Sequence, residues 1–472
     1  VAGGRGVTTL VQGGRIVTAT DDYVADILIE DGRVRAIGDF EGTEADETID
    51  ASGHLVFPGG IDPHTHLDTP VAGTVISDDF DTGTRAAAVG GTTTVIDFAI
   101  QEKGADPRSS LMRWHGMADG KAAVDYAFHQ IITDLPDSLL PSLDGLVTEG
   151  VTSFKLFMAY PNVWMLDDGA IFKAMRRTAE NGGFIMLHCE NGHAIDALVK
   201  ESLARGDSDP IFHARTRPSL AEDEATRRGI ALAEMAGTPL YIVHMSSAGS
   251  AQAMAEARER GVRAYAETCP HYLVLTDDRL AEPGFRGSQY VCSPPLRSAD
   301  HHDPLWDALA AGDLQAVGTD HAPFFFEQRM VGRDDFTKIP NGLPGIEWRM
   351  GLLYHYGVAQ GRFSLNRFVE ITSTNAAKLF GLYPRKGEIA PGSDADLVLL
   401  DPAATTTLAL DTQVTNCDYN PYEGTVLQGA IREVLLRGRA IVRDGRYVSS
   451  KPAGSFVRSA ESAALSSSTL VS

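Results

Sequence analysis

Metal-binding side chains recur in this sequence at the points where apolar runs stop. They are His64 and His66 in Asp62-Pro63-His64-Thr65-His66, then His188, then His244, then Asp320 in Thr319-Asp320-His321. On an extended segment residues two apart point the same way, so both imidazoles of the His-x-His pair can face one ion. Neutral imidazole and carboxylate are favoured ligands of zinc and related divalent metals. Alone, a His-x-His pair reads equally well as surface or core histidines, and one histidine ending a buried strand is ordinarily a satisfied structural residue. The repetition at successive strand ends is hard to explain as packing. It points to a metal centre, whose chemistry is hydrolysis by water made acidic near neutral pH.

Lys155 adds a second signal. It lies inside Phe154-Lys155-Leu156-Phe157-Met158, where an unpaired ammonium would be costly to bury. Such a lysine is paired with an acid, snorkels to the strand end, is neutral, or is modified. Beside two metal ions a cation would also be repelled. A neutral amine that captures carbon dioxide becomes an anionic carbamate, whose two oxygens can bridge two cations.

These residues need a frame that brings strand ends together. Apolar runs at 55–61, 93–98, 126–132, 153–158, 184–188, 241–244, 263–267 and 315–318 read as strands, with helical stretches at 170–180, 222–236 and 250–260 between some of them. Strands buried on both faces read as continuous apolar runs. About eight βα units predict an α/β fold, a TIM barrel whose chemistry sits at the C-terminal ends of its strands. At the chain's two ends the texture changes to short alternating strands, at 9–12, 15–18, 25–30 and 33–38 and again at 396–400, 433–437 and 440–442, punctuated by Asp31-Gly32 and Asp444-Gly445. Each end is too small to bury a core, so the two are expected to form one small β-sandwich. The division this predicts is 1–54 and 385–448 for the sandwich and 55–384 for the barrel. Residues 449–472, rich in Ser and Ala, are expected to be mobile or to drape over a neighbouring subunit.

Composition excludes several classes. A net charge of -22 over 472 residues would be repelled by nucleic acid and by anionic membranes. The apolar runs are strand-length, far short of the roughly 20 residues of a membrane span. The first residues show no basic segment followed by an apolar one, so no secretory signal is expected. Cys189, Cys269, Cys292 and Cys417 lie far apart, which suits a reducing cytosol and excludes a zinc ribbon. No Gly-x-Ser-x-Gly elbow supports a serine nucleophile.

The set His64-x-His66, Lys155, His188, His244 and Asp320 resembles the metal ligands of the amidohydrolase superfamily. More narrowly, Asp62-Pro63-His64-Thr65-His66-Leu67-Asp68, Ser77-Asp78-Asp79-Phe80, Gly90-Gly91-Thr92-Thr93-Thr94 and Phe154-Lys155-Leu156-Phe157-Met158-Ala159-Tyr160 look like its hydantoinase/dihydropyrimidinase branch. So do His188-Cys189-Glu190-Asn191, Cys269-Pro270-His271-Tyr272, Ser293-Pro294-Pro295-Leu296-Arg297 and Gly318-Thr319-Asp320-His321. The resemblance implies two divalent ions, zinc first among them. It implies His64, His66 and Asp320 on one ion, His188 and His244 on the other, and carboxylated Lys155 bridging both. It further implies that Tyr160 hydrogen-bonds the developing oxyanion, that the main chain at Ser293 and Asn341 reads the ring's amide edges, and that Asp320 shuttles the proton. Opening of dihydropyrimidines or 5-monosubstituted hydantoins to N-carbamoyl amino acids, by a cytoplasmic homotetramer with no organic cofactor, is the expected function.

Two rivals are enzymes and one is not. Relatives that bind a substrate carboxylate, as dihydroorotases bind dihydroorotate, usually carry arginine two residues after the second histidine. Asp68 stands there and is expected to repel a carboxylate, with Leu67 beside it bordering the substituent pocket along with Phe157 and Tyr160. An allantoinase-like hydrolase is disfavoured by Phe157-Met158-Ala159-Tyr160. A non-catalytic scaffold related to dihydropyrimidinases would have lost metal ligands, yet every ligand position here holds a competent residue.

Overall fold

The computed structural model describes residues 7–71 and 73–462. Eight parallel strands run Gly60–Thr65, Thr92–Ile100, Asp125–Ile131, Ser153–Phe157, Phe184–His188, Leu240–Ile242, Ala264–Thr268 and Ala316–Val317, each paired with its neighbour in sequence. The last is tied back to the first by a bridge between Thr65 and His321, where the His66 N–H donates to the His321 carbonyl at 3.0 Å. This is a (β/α)8 barrel. Apart from Ile100, every residue in these strands is buried, which is why they read as unbroken apolar runs. Ile61, Phe98, Phe184, Met186 and Tyr241 fill the interior, and Phe380 plugs it. Each such fully buried side chain contributes about 1.5–3 kcal/mol.

The covering helices are specified locally. Helix Asp168–Asn181 starts where the Asp167 carboxylate accepts the Ala170 N–H, and it stops at Gly182, whose φ of 79° is left-handed. Between these caps it buries Ile171, Ala174, Met175 and Thr178, one stripe at helical spacing. Removing the Asp167 cap would cost about 1 kcal/mol.

A second, nine-stranded sheet is built from both ends of the chain and folds around its own core of Ile16, Ile27, Val34, Leu397 and Leu435. The run read as one strand at 55–61 is divided. Leu55–Pro58 pairs with Thr8–Val17 and Leu397–Thr407 in this sheet, and the barrel strand begins at Gly60. Gly59 makes the crossing possible, because a Cβ there would lie 2.0 Å from Thr93 Oγ1. The runs at 9–12 and 15–18 are a single strand, Thr8–Val17, with a bulge between Val11 and Gly14. Sheet and barrel are joined by Lys386, whose buried ammonium contacts Asp125 at 2.6 Å, Asp396 at 2.6 Å and Asp394 at 3.0 Å.

Residues 453–460, within the stretch expected to be mobile or to drape over a neighbouring subunit, are strapped to their own barrel. The Gly454 N–H donates to the Ala122 carbonyl, Ser455 and Val457 pair with Tyr126, and Phe456 stacks on Phe128. An aromatic anchor among the small residues supplies the apolar contact that composition hides. The remainder of that stretch, 463–472, lies outside the described residues. Among the described residues no helix is long and apolar enough to cross a membrane.

Candidate active site

The barrel brings the chemistry-bearing residues to one face. His64 and His66 stand at the end of the first strand, Lys155 lies in the fourth, His188 ends the fifth, and His244 and Asp320 follow the sixth and eighth. His244 and Asp320 have φ of 39° and 49°, left-handed values that cost a side-chain-bearing residue on the order of 1–3 kcal/mol. That strain persists because the surrounding contacts hold the two loops.

All six predicted ligands converge. Asp320 Oδ1 lies 3.1 Å from both His64 Nε2 and His66 Nε2. Lys155 Nζ is 3.0 Å from His64 Nε2, and His188 Nδ1 is 3.0 Å from His244 Nε2. Ligand atoms of His64, His244 and Asp320 all fall within 4.8 Å of one another. Burial pushes His66 down to about 4 and His244 well below the usual histidine range, so both imidazoles are neutral donors. Burial also pushes Asp320 up, but His64 and His66 beside it hold it well below the ordinary carboxylate value. The buried Nδ1 of His244 has no hydrogen-bond partner. The neutral imidazoles of His66 and His244, with the ionised Asp320 carboxylate between the histidines, belong to a donor set that fits divalent cations.

Lys155 is 2% exposed, with Nζ over the rings of Phe98 at 4.5 Å and Phe157 at 5.1 Å. Burial pushes it down to about 8. Around the ligands lies a ring of partners that the sequence reading did not assign. Glu267 accepts from His64 Nδ1, and Glu190 lies 2.8 Å from His188 Nε2. Burial pushes Glu190 up, but His188 and Arg217 bring it down to about 2. His321 turns away from the ligands: its Nδ1 accepts the Gly345 N–H at 3.0 Å, so its Nε2 carries the proton shared with Asp78 at 2.9 Å. His129 is likewise structural, with Nε2 3.0 Å from the Pro63 carbonyl. Ionisable residues inside apolar strands were the available signal for Glu267 and His129, the same signal that marked Lys155.

The ligand cluster floors a cavity of about 350 Å³ with Tyr160, Ser293 and Asn341 on its wall. Asn341 Nδ2 donates to Ser293 Oγ at 3.2 Å, and His213 Nε2 lies 3.1 Å from the same oxygen. Three successive N–H groups, of Val163, Trp164 and Met165, donate to the Tyr160 carbonyl and hold its left-handed turn. Burial pushes the Tyr160 hydroxyl up to about 12, against a hydrogen bond with Ser293. Apart from Thr69 and Thr337 the remaining side chains of the wall are apolar, among them Val71, Ile76, Ile100, Ile131, Phe157 and Trp164. Leu67 and Asp68 do not line it. Leu67 is fully buried against Gly83, and Asp68 faces the charges of Lys121, Asp79 and Arg113. Leu67 thus points into the packing behind the cavity, and the chain turns at Asp68, whose φ is 55°. A carboxylate is disfavoured for a different reason: among the described residues Lys155 is the one Lys or Arg on the wall.

The profile of the amidohydrolase family matches residues 55–441. The chain is 50% identical to a D-hydantoinase of Streptomyces coelicolor, covering 95% of this chain and 97% of that one. It is 49% identical to a D-hydantoinase of Geobacillus stearothermophilus, covering 97% and 98%. Among solved structures, the crystal structure of a dihydropyrimidinase from Brevibacillus agri superposes with a TM-score of 0.95 at 50% identity, covering 97% and 99%.

Proposed function

This chain belongs to the amidohydrolase family and is a cyclic amidohydrolase, and we propose that it opens 5-monosubstituted hydantoins and dihydropyrimidines to N-carbamoyl amino acids. The observation that carries this reading is the convergence of four histidines, Lys155 and Asp320 beneath a mostly apolar cavity. His64, His66 and Asp320 would hold one divalent ion, His188 and His244 the other, and carboxylated Lys155 both. Zinc is the first choice, with manganese, cobalt and iron as alternatives. Such a pair supplies Lewis acidity towards the carbonyl and an acidified water when bound.

The chain's own groups do the rest. The Tyr160 hydroxyl donates to the carbonyl oxygen as it gains charge. Asp320 accepts the proton of the attacking water and returns it to the ring nitrogen as the C–N bond breaks. The main chain at Ser293 and Asn341 pairs with the ring's uncharged amide edges, and the apolar wall receives the exocyclic substituent and excludes water. Dihydrouracil would thus give N-carbamoyl-β-alanine. Carboxylation of Lys155 replaces a buried cation beside His64 with an anion, which removes its repulsion with the metals. Assembly as a homotetramer follows from the resemblance, and the four free, buried thiols suit the cytoplasm.

Elemental analysis of protein grown with adequate metal should approach two ions per chain, and Lys155→Ala should lose metal and ring-opening activity together. Propionate should restore part of both. Full activity in metal-free protein, or density for a bare amine in an active metal-loaded crystal, would overturn the respective parts. Light scattering tests the tetramer, and cell fractionation tests the compartment.

A further inference from the structure

Glu267 stands in the seventh barrel strand, which supplies no predicted metal ligand, and its carboxylate is wholly buried. One oxygen, Oε1, receives both the His64 Nδ1–H and the His244 backbone N–H, the latter at 3.3 Å. The other, Oε2, accepts the Tyr241 hydroxyl at 3.0 Å. His64 and His244 belong to opposite sides of the centre, so one carboxylate touches a ligand of each. By comparison, Glu190 reaches only His188 among the ligands and shares its charge with Arg217 at 3.8 Å. Gly318 makes room for this arrangement, because a Cβ there would lie 2.8 Å from both Glu267 Oε2 and His64 Cβ.

We propose that Glu267 is a positioning residue for the binuclear centre, fixing His64 as the tautomer that coordinates through Nε2 and clamping the left-handed loop that presents His244. The inference rests on the two-metal reading above. A proton held on Nδ1 by a carboxylate leaves the Nε2 lone pair free and raises its basicity. Loss of the charge weakens that hold, and an amide can donate to Nδ1 instead, which would move the proton to Nε2 and block coordination. The same carboxylate restrains the His244 backbone at a φ of 39°, where few side-chain-bearing residues settle unaided.

The test compares wild type, Glu267→Gln and Tyr241→Phe, each loaded with Co²⁺. Three quantities are read: ions bound per chain, the rate of Co²⁺ loss to a chelator, and the visible ligand-field spectrum. Melting of the metal-free proteins serves as the folding control. Glu267→Gln should release Co²⁺ about ten- to a hundredfold faster with an altered spectrum, and Tyr241→Phe should move the same way by less. Wild-type release and spectrum in Glu267→Gln would overturn the proposal. So would a lowered metal-free melting temperature with unchanged release, which marks a merely structural role. If Glu267→Gln does not fold, an unchanged release rate and spectrum in Tyr241→Phe overturn it. Wild type that binds no pair of ions would instead remove the two-metal reading on which it rests.

Discussion

Tyr160→Phe isolates one hydroxyl. The ring packs at 6.0 Å from Phe157, 5.6 Å from Trp164 and 5.5 Å from His188, contacts that phenylalanine retains. The backbone is left-handed with its carbonyl capped by three N–H groups, a geometry as demanding for phenylalanine as for tyrosine. What disappears is a single O–H donor at the carbonyl oxygen. With its pKa pushed up to about 12 by burial, this hydroxyl remains protonated and donating across the neutral range, so wild type should show no activity loss from its ionisation there. Removing one oxyanion donor in a water-poor site costs about 2.7–4 kcal/mol, or 10²–10³-fold in kcat. The ground-state carbonyl carries less charge, so KM should move far less than kcat. Steady-state kinetics on hydantoin and dihydrouracil, with both proteins matched for metal content, measure the split. A kcat within about threefold of wild type, under 1 kcal/mol, would refute the assignment.

Dihydroorotate should turn over orders of magnitude more slowly than dihydrouracil in kcat/KM, and Asp68→Arg should not rescue it, because Asp68 lies off the cavity wall; a rescued variant would contradict that placement. Lys386→Met would leave three buried carboxylates without their ammonium, so stability should fall by about 3–5 kcal/mol in denaturant titrations, while a neutral result would show that the joint between barrel and sheet carries no net energy. His213 is pushed down to about 3 by burial and Arg217, so the unfolded chain takes up this proton first as pH falls below about 6.5. Its stability contribution is therefore present above that pH and lost towards about 3, on the order of 2 kcal/mol by pH 5; His213→Gln should flatten the melting-temperature decline between pH 7 and 5, and an unchanged slope would count against a buried neutral imidazole.

Much of the centre was legible because its signals are local. The two-residue spacing of His64 and His66 follows from strand geometry, and a lysine inside an apolar pentapeptide is anomalous whatever the fold. Repeated apolar runs ending in ligand residues gave the barrel for the same reason, since strands buried on both faces must be apolar throughout. Locality also sets the limit. Lys155, His129 and Glu267 carry the same mark, an ionisable residue in a buried strand. Only their three-dimensional neighbours separate a candidate ligand beside His64 Nε2 from a histidine holding the Pro63 carbonyl or a carboxylate paired with His64 Nδ1. Leu67 and Asp68 follow His66 directly, but Leu67 packs against Gly83 and Asp68 takes a left-handed φ, and backbone sign at one residue is weakly encoded in side-chain type. The split at Gly59 and the anchoring of Phe456 depend on partners far along the chain. Residue identity determined which chemistry was available; tertiary contact decided which side chains converge, because hydrogen bonds and burial act on distance in space, whereas the sequence records only distance along the chain.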